Sequence, residues 1–184
     1  QWYKKTQATK KELSLQREKK WASDAPKFSI IVPLFKTPDN FLKELVSSIQ
    51  SQTYSNWELC FADGSPTDEL KGLVEGFKDE RICYHFIGEN LGISGNTNKA
   101  LEMATGDWIV LCDHDDLLVP NALYEIADRI TKDPEIDSIY SDEDKIDETG
   151  KKLFEPHFKP DFNIDMLRSN NYICHLYGVR KELV

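Results

Sequence analysis

From Phe28 onward, short β-branched or aromatic runs alternate with segments whose apolar residues fall at helical spacing. This alternation limits the fold more than any other feature. Phe28–Val32 is a strand closed by Pro33, and Pro38 stands at a first helical position. Behind it Phe41, Leu42, Leu45, Val46 and Ile49 share one helix face. Trp57–Ala62 is a second strand, broken at Asp63-Gly64, and Ser65-Pro66 is expected to open the next helix with Ser65 as its cap. Ile82–Ile87 is a third strand. Gly92–Met103 is a helix behind a Gly/Asn-rich turn, Trp108–Cys112 a fourth strand, and Pro120 opens a helix carrying Ala122, Leu123, Ile126, Ala127 and Ile130. Ile136–Tyr140 is a fifth strand. Such alternation builds an α/β fold, a mainly parallel sheet flanked by helices on both faces. These sheets bind ligands beyond the carboxyl ends of their strands. Three loops are thereby singled out: Pro33–Thr37, Asp63–Thr67 and Asp113–Asp116. Past Asp144 the alternation fades into a hairpin turn at Glu148-Thr149-Gly150, a short helix within Asp161–Asn170 and a further strand over Tyr172–Val179.

Charge narrows the partners. The chain carries 23 Lys+Arg against 32 Asp+Glu, a net of −9. The first 20 residues hold seven Lys/Arg and two Glu, which leaves 16 basic and 30 acidic residues for the rest. A nucleic-acid polymer wants a basic field, so it is excluded as a partner. No apolar run approaches the roughly 20 residues of a transmembrane segment. Residues 1–26 read as a basic helical leader or linker, closed by Ser23-Asp24-Ala25-Pro26, and residues 27–184 as the domain proper. The four cysteines form no C-x-x-C pair. Buried free thiols and the absence of any Asn-x-Ser/Thr sequon point to a cytoplasmic setting, with the basic leader allowing peripheral contact with the inner membrane face.

The sharpest chemical feature is the run from Trp108 into Asp113-His114-Asp115-Asp116. If the strand continues, Asp113 and Asp115 point to the same side. Two carboxylates so placed repel unless a cation sits between them. Oxygen ligands of this type suit Mg²⁺, Mn²⁺ or Ca²⁺. An EF-hand is set aside, because Leu118 and Tyr124 stand where its Gly and Glu belong. A bland alternative is a solvated acidic turn with Asp116 capping the next helix. Asp63-Gly64-Ser65 ends a strand with a carboxylate able to bind a base or ribose, or is an ordinary turn. Asn90-Leu-Gly92-Ile-Ser-Gly95-Asn-Thr-Asn98 is neither G-x-G-x-x-G nor a P-loop, but its small residues can receive an anion at a helix N-terminus. Together these are the equipment for a nucleoside diphosphate attached to something else. No covalent nucleophile with a neighbouring base is evident.

These segments resemble family-2 glycosyltransferases. Phe28-Ser-Ile-Ile-Val-Pro33 is similar to their first strand, and Ser48-Ile-Gln-Ser-Gln-Thr-Tyr-Ser-Asn-Trp57-Glu-Leu to their helix, turn and second strand. Ala62-Asp63-Gly64-Ser65, Asn90-Leu-Gly92, Asn98 and Ala104-Thr-Gly106-Asp107 running to Asp116 follow in family order. The resemblance is close over about residues 28–131. It implies a GT-A fold, Rossmann-like, cut short at its C-terminus. It further implies a nucleotide-diphospho-sugar donor, UDP- or dTDP-linked, and a Mn²⁺ or Mg²⁺ ion. By the match Asp63 contacts the base, Pro33, Leu34 and Phe35 pass close to the nucleoside, and Asn90, Gly92, Asn98, Asp113 and His114 complete the nucleotide site. Asp113, Asp115 and Asp116 form the metal site, with Asp115 the firmest choice.

Tyr140-Ser-Asp142-Glu143-Asp144-Lys-Ile-Asp147 and Pro156-His157-Phe-Lys159-Pro-Asp161 are similar to the members that build bacterial surface polysaccharides, including rhamnose transferases. Asp142, Glu143, Asp144 and His157 are therefore candidates for contact with donor sugar or acceptor, the acceptor being a glycan or a lipid-linked glycan. There are three departures. Ala62 stands where many members have an Asp, and Thr97 where many have an Arg. Members that invert the anomeric carbon also use a carboxylate base usually placed C-terminal to the position of Val184, so no catalytic residue is assigned. The competing expectation is a catalytically incomplete nucleotide-sugar-binding module or scaffold.

Overall fold

A computed structural model describes residues 7–147, 149–150 and 152–184. Residues 1–6 of the basic leader and Glu148 of the expected hairpin turn lie outside them. Helix α1 (Lys10–Glu18) is the first element among the described residues. Then β1 (Phe28–Leu34), α2 (Asp39–Gln50), β2 (Trp57–Asp63), α3 (Lys71–Gly76), β3 (Ile82–Phe86), α4 (Gly92–Leu101), β4 (Trp108–Leu111) and α5 (Ala122–Lys132) alternate in order. Strand β5 (Ser138–Tyr140), the pair β6 (Glu143–Ile146) and β7 (Leu153–His157), helix α6 (Ile164–Ser169) and strand β8 (Tyr177–Arg180) follow, with a short 3-10 turn over Lys181–Leu183 after them.

The main sheet runs β3-β2-β1-β4-β8-β5. Its first four strands are mutually parallel, as βαβ crossovers require. β8 runs antiparallel between β4 and β5, so the mainly parallel sheet has one reversed strand. β6 and β7 pair antiparallel as a separate ribbon.

Period-two alternation divides the central strands between two cores. Phe28, Ile30, Val32 and Leu34 of β1, with Trp57, Leu59 and Phe61 of β2, face α2 and α5. They meet Leu42, Leu45, Val46 and Ile49 from α2 and Leu123, Ile126, Ala127 and Ile130 from α5. Each fully buried aliphatic side chain there contributes about 1.5–3 kcal/mol of transfer free energy. Ile31, Cys60, Ala62 and Ile109 point the other way, onto Ala100 and Ala104. All four cysteines are free thiols. Burial pushes the Cys60 thiol up to about 12, which fits a core residue rather than a reactive one.

Several boundaries differ from the sequence reading. Pro38 is the N-cap of α2 rather than its first residue. Ser65-Pro66 opens no helix, because the Ser65 hydroxyl accepts the Lys36 N–H at 2.8 Å and α3 begins only at Lys71. In the leader, Thr9 and Glu12 form a reciprocal capping box that starts α1. This helix buries no residue. It attaches through polar side chains: Gln16 donates to Glu125 at 3.2 Å, Thr53 donates to Gln16 at 2.8 Å, and Lys19 pairs with Asp128 at 2.7 Å. Trp21 then packs edge-on against Tyr54 and Tyr124. No helix among the described residues is long and apolar enough to cross a membrane.

Candidate active site

Strand register brings the singled-out loops to one edge. Leu34 lies opposite Asp63, and Ile31 lies opposite Leu111. The Cys112 N–H then donates to Ile31 O at 3.2 Å, which extends the ladder by one bond. Pro33 and Leu34 thus sit between Asp63 on one side and the start of Asp113–Asp116 on the other. Leu34 is fully buried in the core, so only its backbone faces the edge, whereas Phe35 is exposed.

Beyond Cys112 the chain turns instead of continuing as a strand. The Asp113 N–H donates to Asp116 Oδ2 at 3.0 Å, and the Asp116 N–H donates to Asp113 O at 3.2 Å. This reciprocal pair folds Asp116 back beside Asp113. The expected alternation, with Asp113 and Asp115 on one strand face, is therefore corrected. Among the described residues, Asp113, Asp116 and His175 form one group whose ligand atoms all lie within 4.8 Å of one another. Asp115 and His114 are on the same turn but outside that group. Asp115 lines a small pocket with Phe41, Glu44 and Ile146.

His175 comes from the segment leading into β8. Its Nε2 stands 3.1 Å from Asp113 Oδ2 and its Nδ1 is 3.8 Å from Asp116 Oδ2, with no hydrogen-bond partner for Nδ1 among the described residues. The hydrogen bond with His175 holds the Asp113 carboxyl below its ordinary range, and the same bond raises His175. Burial pushes Asp116 the other way, upward. Two carboxylates pulled apart, beside an imidazole with an unused nitrogen, make a donor set that fits Mn²⁺ or Mg²⁺, with the nitrogen favouring Mn²⁺.

Asp63 is fully buried at the end of β2. Its Oδ1 accepts the Ser65 N–H at 2.9 Å and its Oδ2 the Tyr84 hydroxyl at 2.9 Å. Gly64 beside it has no room for a side chain, since a Cβ would meet the Asn96 amide at 2.6 Å. Buried Asn96 organises the start of α4. Its Oδ1 accepts the Leu91 N–H at 3.1 Å, while its amide donates to Asn90 Oδ1 at 3.2 Å. Asn90 Oδ1 also accepts the Gly92 N–H at 3.0 Å, and Gly92 takes a left-handed φ of 75°. Asn98 is exposed on the same helix.

Geometry of this kind meets a clear set of relatives. The family model described as Glycosyl transferase family 2 matches residues 29–184. The chain belongs to this family. It is 41% identical over 179 residues to the uncharacterized protein y4gI of Sinorhizobium fredii, covering 95% of this chain and 19% of that protein. It is 32% identical to the O-antigen biosynthesis protein RfbC of Myxococcus xanthus, covering 87% of this chain and 13% of RfbC. The chain thus spans a fifth or less of these two relatives. Among solved structures, S. aureus TarS 1–349 in complex with UDP-GlcNAc superposes with a TM-score of 0.67 at 22% identity, over 85% of this chain and 46% of that one. The mannosyltransferase PcManGT of Pyrobaculum calidifontis, in complex with GDP-Man and Mn²⁺, superposes at 0.54 with 22% identity, over 70% and 40%. At such identities these structures establish the shared GT-A fold.

In this family 2 chain the other candidates gather around β6 and β7. Glu143 Oε1 lies 3.1 Å from His157 Nδ1, and its Oε2 accepts the His175 N–H at 3.0 Å. Asp142 accepts the Lys159 N–H at 2.8 Å. Burial raises the Asp144 carboxyl. Asp142 and Asp144 line a pocket of about 440 Å³ with Leu13, Val119, Asn121 and Phe158. His175, Asn96 and Lys159 had no assigned role in the sequence reading. For His175 the available signal was a polar residue inside the expected strand Tyr172–Val179, too common to act on alone.

Proposed function

We propose that this chain is the donor-binding part of an inverting, metal-dependent glycosyltransferase. It would move a sugar from a nucleotide-diphospho-sugar, UDP- or dTDP-linked, to a glycan or lipid-linked acceptor in surface polysaccharide synthesis. The observation that carries this is the Asp113–Asp116–His175 group at the carboxyl end of β4, on the same edge as Asp63. Family membership supports the reaction class. RfbC's role in O-antigen biosynthesis, and the nucleotide-sugars named with TarS and PcManGT, support the acceptor and donor classes.

The chain's own residues divide the work. Asp63 offers its buried carboxylate to the base, and the Pro33–Phe35 backbone walls the nucleoside. Asn90 and Asn96 hold the glycine-bearing start of α4 open toward the diphosphate. Asp113, Asp116 and His175, with Asp115 as a further carboxylate on the same turn, are the residues to hold Mn²⁺ or Mg²⁺. Such an ion, when bound, supplies positive charge against the departing diphosphate. No general base of inversion is assigned among these residues. A cytoplasmic setting is supported by the four free thiols.

Thermal unfolding with UDP or dTDP, each with and without Mn²⁺ or Mg²⁺, tests the proposal. Nucleotide should raise the melting temperature only when the metal is present. Asp113→Asn should remove that shift. Equal stabilisation without metal would sink the metal-dependent reading. Running Asp115→Ala beside His175→Ala tells which residue completes the donor set.

A further inference from the structure

Lys159 is a buried cation for which donor binding has no use. Its side chain is 1% exposed, with Nζ 3.3 Å from Glu143 Oε2. The same ammonium donates to Ile173 O at 2.5 Å and to His175 O. Glu143 Oε2 meanwhile accepts the His175 N–H at 3.0 Å. Both backbone polar groups of His175 are therefore held by one ion pair, the N–H by the carboxylate and the carbonyl by the ammonium. Outward from the pair, His157 touches Glu143 Oε1, and Asp142 anchors the Lys159 backbone. Burying an ammonium is costly, and an aliphatic side chain would fill the space without that cost. What the pair adds is direction: it fixes where the His175 backbone stands, and so where its ring meets Asp113 and Asp116.

We propose that Glu143 and Lys159 are positioning residues that hold His175 against Asp113 and Asp116, and so set the affinity of that group for a divalent cation. This rests on the reading of the group as a metal site. It gives the β6–β7 ribbon a task at the metal rather than in direct contact with sugar. Partners one layer behind metal ligands commonly change affinity by 10–100-fold.

The test titrates Mn²⁺ into the 184-residue chain, with and without UDP, and reads free Mn²⁺ by electron paramagnetic resonance. Circular dichroism confirms that each variant is folded. Lys159→Met and Glu143→Gln should each weaken Mn²⁺ about tenfold. Combined with His175→Ala, neither should weaken it beyond His175→Ala alone, because the clamp acts only through that ring. Folded variants that keep wild-type affinity overturn the clamp, as do losses that multiply with His175→Ala. If Lys159→Met does not fold, Glu143→Gln and its double variant decide by the same criteria. Asp113→Asn and Asp116→Asn separate the two ideas. If both retain Mn²⁺ binding, the metal reading itself fails and the clamp falls with it. If both lose binding while the clamp variants do not, only the clamp fails.

Discussion

The same parallel strands carry carboxylates at both of their ends, and the two ends are built in opposite ways. At the amino end, Glu58 accepts from Lys27 Nζ and Ser29 Oγ at 2.6 Å and from Thr105 N and Oγ1 at 2.5 and 2.7 Å. The Gly106 N–H adds a fifth donor at 3.2 Å. Gly106 must lack a side chain here, since a Cβ would meet Lys27 O at 2.5 Å. Burial pushes the Glu58 carboxyl up, but these donors outweigh it and hold the group at about 2. At the carboxyl end, Asp113 and Asp116 share one imidazole and one backbone N–H and are pulled in opposite directions. A carboxylate with all its acceptor sites filled can only hold the fold together. A pair left short of donors has capacity to spare for a ligand that brings positive charge.

The largest expected effect tests the filled end. Glu58→Ala takes the carboxylate acceptor from Lys27, Ser29 and both Thr105 donors, leaving the Gly106 N–H its second acceptor in Ser29 Oγ, and should lower stability by about 3–5 kcal/mol in urea unfolding. A loss under about 1 kcal/mol would put Glu58 on a par with ordinary surface residues and break the contrast.

The second effect is the pH dependence of the same group. The folded carboxyl titrates at about 2, below its ordinary value of 4.5. Its contribution is therefore complete above roughly pH 4.5 and is lost as pH falls toward 2. Protonation should cost about 3 kcal/mol over that window. Subtracting the profile of Glu58→Gln from that of the unaltered chain isolates this group from the other carboxylates. Parallel profiles between pH 5 and pH 2 would show that the five donors do not favour the charged form.

At the unfilled end the effect moves from stability to binding. Asp113→Asn should weaken Mn²⁺ by about 100-fold or more, at least about 2.7 kcal/mol and beyond the roughly tenfold expected of the clamp variants, while metal-free stability changes by less than about 1 kcal/mol. The two readouts come from calorimetric titration and from urea unfolding of the same sample. A variant that binds Mn²⁺ normally but unfolds easily would reverse the assignment of the two ends.

The contrast also explains what could be read in advance. Apolar periodicity exposed the parallel strands, because β1 and β2 are buried on both faces and read as continuous runs. It placed Asp63 and Asp113 at strand ends for the same reason. The turn at Asp113–Asp116 was invisible to it, since a local side chain–backbone bond, not a period, folds Asp116 beside Asp113. His175 was missed for a different reason. It lies 62 residues beyond Asp113 and reaches it through the antiparallel pairing of β8 with β4. Local pattern carries no information about which distant strand inserts beside which. Glu58 shows the converse limit, because its sequence context is an unremarkable apolar strand and only the convergence of Lys27, Ser29 and Thr105 reveals its role.

The smallest effect is the most discriminating. Burial raises the Asp116 carboxyl above its ordinary value, with the charges of Asp113 and Asp115 pushing in the same direction. A folded value above the unfolded one means that the charged form is penalised by folding, and the penalty is fully present at neutral pH. Asp116→Asn removes the charge while its amide oxygen can still accept the Asp113 N–H. Metal-free stability at pH 7 should therefore rise, by about 0.5–1 kcal/mol, even as Mn²⁺ affinity falls. As pH is lowered and Asp116 in the unaltered chain becomes neutral, the gain should shrink. A stability loss of 1 kcal/mol or more in thermal melts at pH 7 would instead make Asp116 a structural carboxylate of the Glu58 kind. The gain in stability coupled to a loss of metal binding is the signature that a purely structural acidic turn would not give.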